Sequence, residues 1–487
     1  MKRIFSNSVF ALAAGLCLRL FFVLKFPADS GDTALYEEIA ANWLKHHVYA
    51  IDVHGALAPV ALRMPGYPAF LALIYALTGR TEVAARLWVM LGQVVVDIIG
   101  CLFCVWLAGL LLVLGNPHAR QKPVLRAAWW LGMLCPFTAN YTAVPLTETF
   151  AIALTAMAMV FLVGLAGSAD EVVFPKPLRL WEWNNEVRHW AVPTGVVVGL
   201  ATLFRPESPL ILIVGWGVVA FQLWRHRKIG LWLRIVAYSG IACILPLVPW
   251  AIRNALTLHE VQFLTPKYST LPGEIVPYGF MAWEKTWLYR VRDCYLVPWK
   301  LNEEAINVDD IPARAFDSPE EKRHVATILE PYNEDLALTQ EQDDAFGQIA
   351  RERTARHPLR TYLWIPAVRA VVIWFAPRIE LLPISGNVFP LAEMRDKDPE
   401  DQEFTVLLFL VNILYVGLGV CGVLRLWRSS AAARVAVMFL ILFLMLRTAF
   451  LTTLETPEPR YVLVCFPALI AFGAQLFARK SAPASSN

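Results

Sequence analysis

Long apolar runs separated by short polar connections set the pattern of this chain. About ten runs approach the ~20 residues that one bilayer crossing needs: 8–26, 84–114, 126–142, 145–166, 190–205, 208–224, 231–253, 404–426, 432–453 and 459–477. The apolar residues in them are continuous rather than alternating or confined to one helical stripe, which lipid explains and a soluble core does not. Two further stretches, 65–79 and 361–377, are shorter or interrupted, by Pro65 and Pro68 in one and by Pro366 and Arg369 in the other. Both are expected to be helices lying in the membrane interface.

The polar connections give a consistent orientation. Lys2 and Arg3, then Arg120, Lys122 and Arg126, fall on one side, as do Lys176, Arg179 and Arg188. Arg225, Arg227 and Lys228, then Arg425, Arg428 and Arg434, and finally Arg479 and Lys480 join them. By the positive-inside rule that side is the cytoplasm. If either 65–79 or 361–377 crossed alone, every later basic connection would move outside, so neither crosses; both crossing together is the alternative. Two large loops, 27–83 and 254–403, then face the opposite, extracytoplasmic side. The expectation is an all-α polytopic membrane protein of about ten transmembrane helices, with interfacial helices in those two loops. Its parts are an N-terminal transmembrane module, 1–253, the large loop 254–403, and C-terminal helices with a short tail, 404–487.

Composition strengthens this reading. Of 487 residues 57% are hydrophobic and 17% charged, with mean hydropathy +0.50, whereas soluble domains carry roughly 25% charged residues. A net charge of +3 gives no footprint for nucleic acid. The basic start and first apolar run could form a signal peptide, but Arg19 interrupts the run and no small-x-small cleavage site follows, so it reads as an uncleaved span. Seven of the eight cysteines lie in apolar runs and only Cys294 lies in the large loop, which leaves that loop no internal disulfide. Cys101 and Cys104 read as small helix-filling residues rather than a redox or metal pair.

Candidate chemistry gathers in the first loop. Leu35, Ile39, Ala40, Trp43 and Leu44 form an apolar stripe at helical spacing, so 33–46 is expected to lie flat on the membrane. Asp32 precedes that helix, with Tyr36 one turn on. Its plainer reading is an N-cap, which Asp favours; its sharper one is a catalytic carboxylate at the water–lipid boundary. Asp29 is its rival, three residues away. His46, His47, Asp52 and His54 could form a metal cluster or simply a solvated loop. Asp97 and Arg447 sit deep in spans, where an ionisable residue is either functional or a polar packing contact.

The segment GDTALYEEIA, followed about thirty residues later by RMPGYPAFLALIY, resembles the opening of a known family. These are the GT-C membrane glycosyltransferases that take a sugar from a polyprenyl-phosphate carrier, such as protein O-mannosyltransferases and lipid A aminoarabinose transferases. Further segments resemble later family elements in order: NYTAVPLTETF around Glu148, GLATLFRPESPL around Arg205, and VPWAIRNALTLHEVQFLTP around Arg253. AFGQIARERTARHPLRTYL in the large loop and EPRYVLVCFPAL around Arg460 and Tyr461 complete the series.

The resemblance implies a GT-C fold and transfer by single inverting displacement, with Asp32 as the base that takes the acceptor proton. It places Glu148 at the family's second acidic position, where it could orient the acceptor or bind a divalent cation. Departure of the sugar leaves a phosphate, which arginines suit through paired charge-assisted hydrogen bonds. Arg205, Arg253 and Arg460 fall at expected outer ends of spans, where their other reading is snorkelling to the interface. Arg63 is a further candidate phosphate contact, and Tyr36, Tyr67 and Tyr461 complete the substrate-binding set. The implied partners are a polyprenyl-phosphate-linked sugar, a glycan, lipid or protein acceptor, and membrane lipids. The implied location is a bacterial inner membrane, in a cell-envelope role with the site facing the periplasm or exterior. A transporter or flippase of a lipid-linked sugar would share the spans and arginines but should show an internal repeat, and none is present. A non-catalytic receptor or assembly subunit is the other rival.

Overall fold

The computed structural model describes residues 2–169, 188–225, 227–266, 268, 275–384, 386, 388 and 398–479. Lys176, Arg179 and Lys480 of the basic connections lie outside these. Among the described residues the chain is helical apart from one two-stranded hairpin. Seven helices there are long and apolar enough to cross a membrane: Asn7–Lys25, Glu82–Gly115, Glu148–Gly167, Ile229–Thr257, Pro399–Trp427, Ala431–Thr452 and Pro459–Phe477. The chain is an integral membrane protein.

The order begins with α1 (Lys2–Lys25), α2 (Gly31–His46), the hairpin β1 (Ala50–Val53) and β2 (Ala56–Pro59), α3 (Gly66–Thr78) and α4 (Arg86–Gly115). Next come α5 (Gln121–Met133), α6 (Pro136–Asn140), α7 (Glu148–Ala169), α8 (Arg188–Thr202), α9 (Leu210–Arg225), α10 (Ile229–Ile244) and α11 (Val248–Thr257). Three of the expected spans are helical but short. α8 and α9 have 15 and 16 residues, and 126–142 is divided between α5 and α6. Pro136 causes that break: it drives Cys135 to extended backbone, φ −69° and ψ 107°, because the proline ring excludes the α region for the residue before it. The stretch 65–79 forms the 13-residue α3, and 361–377 becomes a five-residue π turn, Arg360–Trp364, running into Ile365–Phe375.

The chain divides into two compact units: residues 1–265, 377–444 and 463–487, and residues 266–376 with 445–462. The first holds most of the apolar helices. Inside it, Asp97 has the partner that sequence left open. Arg19 Nε and Nη2 donate to Asp97 Oδ2 at 2.8 and 2.5 Å, and Arg19 Nη1 donates to the carbonyls of Gly15 and Met133, each at 2.8 Å. Both side chains are sealed from solvent. The pair ties α1 to α4, and the carbonyls absorb donors that would otherwise stay unmatched in an apolar surrounding.

The apolar stripe of α2 does not lie on lipid as expected. Tyr36 and Ala40 pack with Tyr67, Leu71, Tyr75 and Val89. Ile39 packs with Tyr49, Met64 and Trp250, joined by Leu35 and Trp43. Helix α3 and the hairpin cover that face, and Leu44 is its exposed member.

The second unit has its own core, built on Phe280, Trp283, Trp287, Tyr332 and Phe346. The Asp343 carboxylate caps α12 (Tyr278–Lys285), accepting from the backbone N–H groups of Gly279 and Phe280 at 2.9 Å each. Only glycine fits at 279, because a Cβ there would lie 1.8 Å from the Asp343 carbonyl oxygen. Fully buried Arg353 pairs with Glu321 and Asp317 and donates to Thr286 Oγ1 at 2.8 Å. Arg447, which sequence left open, donates through Nε to the Tyr461 carbonyl at 3.1 Å.

Candidate functional site

The residues singled out in the first loop converge within the first unit. Helix α2 begins at Ser30, its N-cap, whose backbone N–H donates to Thr33 Oγ1 at 3.1 Å. Asp32 is therefore not the cap. It sits in the first helical turn, where the helix dipole favours a negative charge. Asp32 Oδ1 accepts from Arg63 Nη2 at 2.6 Å, and each side chain keeps about one-third of its surface open, 33% and 30%. Burial alone would make Arg63 easier to deprotonate, but the Asp32 charge reverses this and its pKa lies above the ordinary value.

One backbone and one side-chain hydrogen bond bring the segment before α7 against the start of α2: Ala28 N–H donates to the Ala143 carbonyl at 3.1 Å, and the Thr33 hydroxyl to that of Pro145 at 3.4 Å. Glu148 opens α7 there, 3% exposed, and pairs with Arg205. Arg205 follows α8 in a turn that also positions α3, since Gly66 N–H donates to the Leu203 carbonyl at 2.8 Å. A Cβ on Gly66 would come within 2.6 Å of that oxygen, which accounts for the glycine between Pro65 and Tyr67.

Tyr36 stands among these charges. Its ring meets Tyr67 edge-on at 5.1 Å, and the Arg63 guanidinium carbon lies 6.0 Å from its centroid. Burial raises the Tyr36 pKa to about 12, with Asp32 and Glu148 adding to the rise and Arg63 and Arg205 opposing it. The phenol is thus a neutral donor at physiological pH. Tyr67 OH donates to Gln93 Oε1 at 2.7 Å, and Gln93 Nε2 donates onward to the Val144 carbonyl at 2.8 Å. The structure therefore gathers Asp32, Tyr36, Arg63, Tyr67, Glu148 and Arg205 into one cluster.

Asp29 is held differently. Arg86 Nη1 reaches its carboxylate at 3.0 Å, while Arg86 Nε and Nη2 grip both oxygens of buried Glu37 at 2.8 and 2.9 Å. Sequence reasoning missed Glu37, Arg86 and Gln93. Glu37, on the otherwise apolar inner face of α2, and Gln93, a lone amide in an apolar helix, were the available signals.

Arg253 sits farther along, on α11. Its Nη1 donates to the Val60 carbonyl at 2.7 Å and to Asn254 Oδ1 at 2.9 Å, and its Nη2 to the Tyr49 carbonyl at 2.5 Å. The guanidinium carbon also lies 5.2 and 5.3 Å from the rings of Tyr49 and Trp250. It therefore clamps the hairpin and does not simply snorkel. Beside it opens a cavity of about 470 Å³, lined by Trp43, His47, Tyr49, Leu203 and Trp250 among others. Tyr49 OH donates to the Arg63 carbonyl at 2.8 Å, linking the cavity wall to the residue that holds Asp32.

The candidate metal cluster does not form. Asp52 Oδ1 accepts from Gly55 N–H at 2.7 Å, and His54 and Gly55, with φ of 55° and 83°, make the hairpin turn. Among the described residues no group of three or more His, Cys, Asp or Glu side chains is placed to hold a metal ion.

Arg460 and Tyr461 belong to the second unit. Arg460 Nε pairs with Glu458 Oε2 at 2.6 Å, and Tyr461 OH donates to Glu458 Oε1 at 2.6 Å.

No family model matches the chain, and no curated protein does. Among solved structures it is similar to ArnT from Cupriavidus metallidurans in the apo state, with 14% identity, 96% of this chain and 77% of that one covered, and a TM-score of 0.35. The same protein bound to undecaprenyl phosphate gives 13%, 96%, 77% and 0.35. The archaeal oligosaccharyltransferase AglB from Archaeoglobus fulgidus, in complex with an inhibitory peptide and a dolichol-phosphate, gives 12%, 97%, 50% and 0.47.

Proposed function

We propose that this protein is a membrane glycosyltransferase of the GT-C class, moving a sugar from a polyprenyl-phosphate carrier to an acceptor at the extracytoplasmic face of a bacterial inner membrane. The observation that carries the reading is the convergence of the Asp32–Arg63 and Glu148–Arg205 pairs around Tyr36. Carboxylates and guanidinium groups at one place suit a reaction that removes a proton and releases a phosphate.

Of the two carboxylates, Asp32 is the open one and Glu148 the enclosed one. Asp32 takes the proton of the acceptor O–H or N–H as that atom attacks the anomeric carbon. The bond from that carbon to the phosphate oxygen breaks, and its electron pair leaves with the polyprenyl phosphate. One displacement inverts the configuration, and no covalent intermediate on the protein is needed. Arg63 and Arg205 supply positive charge for the departing phosphate, and neutral Tyr36 and Tyr67 supply polar contacts to substrate. Arg253 and Arg460, with Tyr461, are further proposed contacts. Glu148 orients the acceptor side of the site through Arg205.

The test is reconstitution in lipid vesicles with a polyprenyl-phosphate-linked sugar. Wild-type protein should release polyprenyl phosphate only when acceptor is present, with the product sugar inverted at its anomeric centre. Retention of configuration, or equal release without Asp32, rules the mechanism out. Orientation is read by labelling: a cysteine introduced near Glu320 should react from outside and one near Lys228 should not.

A further inference from the structure

Arg86 and Gln93 stand seven residues apart in α4, two turns along one face of a helix that is otherwise largely apolar. Arg86 holds α2 through both oxygens of Glu37. Gln93 is fully buried and holds two other elements at once. Its Oε1 accepts from Tyr67 OH at 2.7 Å, and its Nε2 donates to the carbonyls of Val144 at 2.8 Å, Thr142 at 3.2 Å and Tyr141 at 3.5 Å. Carbonyl oxygens only accept, so the amide cannot be turned round, and the Tyr67 hydroxyl has to be the donor to it.

Each of these bonds ends next to a member of the proposed site. Tyr67 lies in the first turn of α3, four residues after Arg63. Segment 141–146 leads into Glu148 at the start of α7. That segment is also bonded from its other side, where Ala28 N–H and the Thr33 hydroxyl donate to the Ala143 and Pro145 carbonyls. It therefore lies between Gln93 and the start of α2, which carries Asp32. Burying an amide is unfavourable unless it is hydrogen-bonded. An apolar side chain of the same length would pack in its place, but the Tyr67 hydroxyl would then be buried without its acceptor, and 141–146 would lose its tie to α4.

We propose that Gln93 is a positioning residue for transfer, setting the Glu148–Arg205 pair against the Asp32–Arg63 pair by fixing both α3 and segment 141–146 to α4. It acts through Tyr67 and the backbone, not on substrate. The proposal rests on the transferase reading for the reaction that is positioned, and on the hydrogen bonds of Gln93 for the positioning. A shift of the reacting groups by about 1 Å can cost about 100-fold in rate, so loss of these bonds should act on the chemical step more than on donor capture.

Gln93→Met keeps the length of the side chain and removes both hydrogen-bonding ends. In lipid vesicles with the polyprenyl-phosphate-linked donor it should lower kcat about 10- to 100-fold and leave the donor KM within about twofold. Gln93→Glu, when protonated, accepts from Tyr67 and donates to the carbonyls as the amide does. Relative to wild type it should recover part of kcat, and more of it as the pH is lowered. Asp32→Asn supplies a readout that a merely structural role would not move. Gln93→Met should slow residual transfer far less in the Asp32→Asn background than in wild type, whereas a loss of folded protein lowers both alike. If Gln93→Met does not reach the membrane, the same cycle is run with Gln93→Glu at alkaline pH, where the ionised carboxylate opposes the carbonyls. The proposal is overturned if the Gln93 variants match wild type in kcat, if the loss is as large without Asp32 as with it, or if Gln93→Glu recovers nothing at any pH. Wild-type protein that transfers no sugar would overturn the transferase reading, and this proposal with it.

Discussion

Asp32 Oδ1 and Arg63 Nη2 lie 2.6 Å apart, joining the first turn of α2 to the segment between the hairpin and α3. Neither side chain is buried deeply enough for the pair to serve stability alone, since half-exposed ion pairs contribute little, about 0–1 kcal/mol. Both groups can exchange this partner for substrate, and the Arg63 backbone is fixed independently by Tyr49 OH on its carbonyl.

Arg63→Ala should therefore leave folding nearly intact while slowing transfer by roughly 2–4 kcal/mol, the scale for losing a charge-stabilising donor at a reacting oxyanion. Arg63→Lys should restore only part, because an ammonium lacks the planar two-pronged donor. Thermal stability and turnover measured on the same vesicle preparations separate the two effects. An alanine variant that transfers normally would make the pair a surface contact.

The buried pair in the membrane makes the opposite prediction. Arg19 and Asp97 are sealed, so Asp97→Asn leaves a charge without its counter-ion and should destabilise the fold by roughly 3–5 kcal/mol. Replacing both, Arg19→Leu with Asp97→Leu, should cost far less than Asp97→Asn alone. Resistance to thermal aggregation in detergent ranks the three proteins. If the double variant is the least stable, the pair contributes more than mutual neutralisation.

These two pairs show what the sequence made legible. Asp32, Arg63, Glu148 and Arg205 were singled out by residue type together with the family resemblance, and the structure brings them into one neighbourhood around Tyr36. Asp97 was visible as an acid in a span, but Arg19 lies 78 residues away and no local periodicity links them. The apolar stripe of α2 was read correctly as a stripe and wrongly as facing lipid, because spacing shows that a face must be covered and not by what. Tertiary neighbours α3 and β1 decided that. The break at Cys135 was written in Pro136 yet lost within a run judged by hydropathy.

Glu284 gives a pH-dependent prediction in the second unit. It is 1% exposed, and burial raises its pKa well above the ordinary carboxylate value, with Arg369 opposing that rise and Glu455 adding to it. A carboxyl whose folded pKa is raised binds more protons folded than unfolded, so its contribution to stability is greatest below the unfolded value near 4.3. That contribution falls as pH climbs toward the folded pKa. Glu284→Gln removes the titration and should stabilise the protein at pH 7 relative to wild type, with the advantage shrinking as pH approaches 4. Melting temperatures across that interval check the sign. A variant less stable at pH 7 than wild type would mean that Glu284 stays ionised as a partner of Arg369.

The last prediction separates two acids three residues apart. Asp29 shares Arg86 with Glu37 and is 65% exposed, whereas Asp32 faces Arg63 beside Tyr36. Asp32→Asn keeps the size of the side chain, and because Ser30 is the cap, the helix start is not put at risk. Loss of a general base costs roughly 10²–10⁴-fold in rate. Loss of a carboxylate next to the helix start costs only about 0.3–1 kcal/mol of stability. Asp32→Asn should therefore retain donor binding and lose transfer, and Asp29→Asn should lose little of either. The two are expressed to equal membrane levels and followed with the same polyprenyl-phosphate-linked donor. If Asp29→Asn abolishes transfer while Asp32→Asn does not, the base is Asp29 and Arg86 is its holder. If both variants transfer as wild type does, neither Asp29 nor Asp32 takes the proton, and the base lies elsewhere in the cluster.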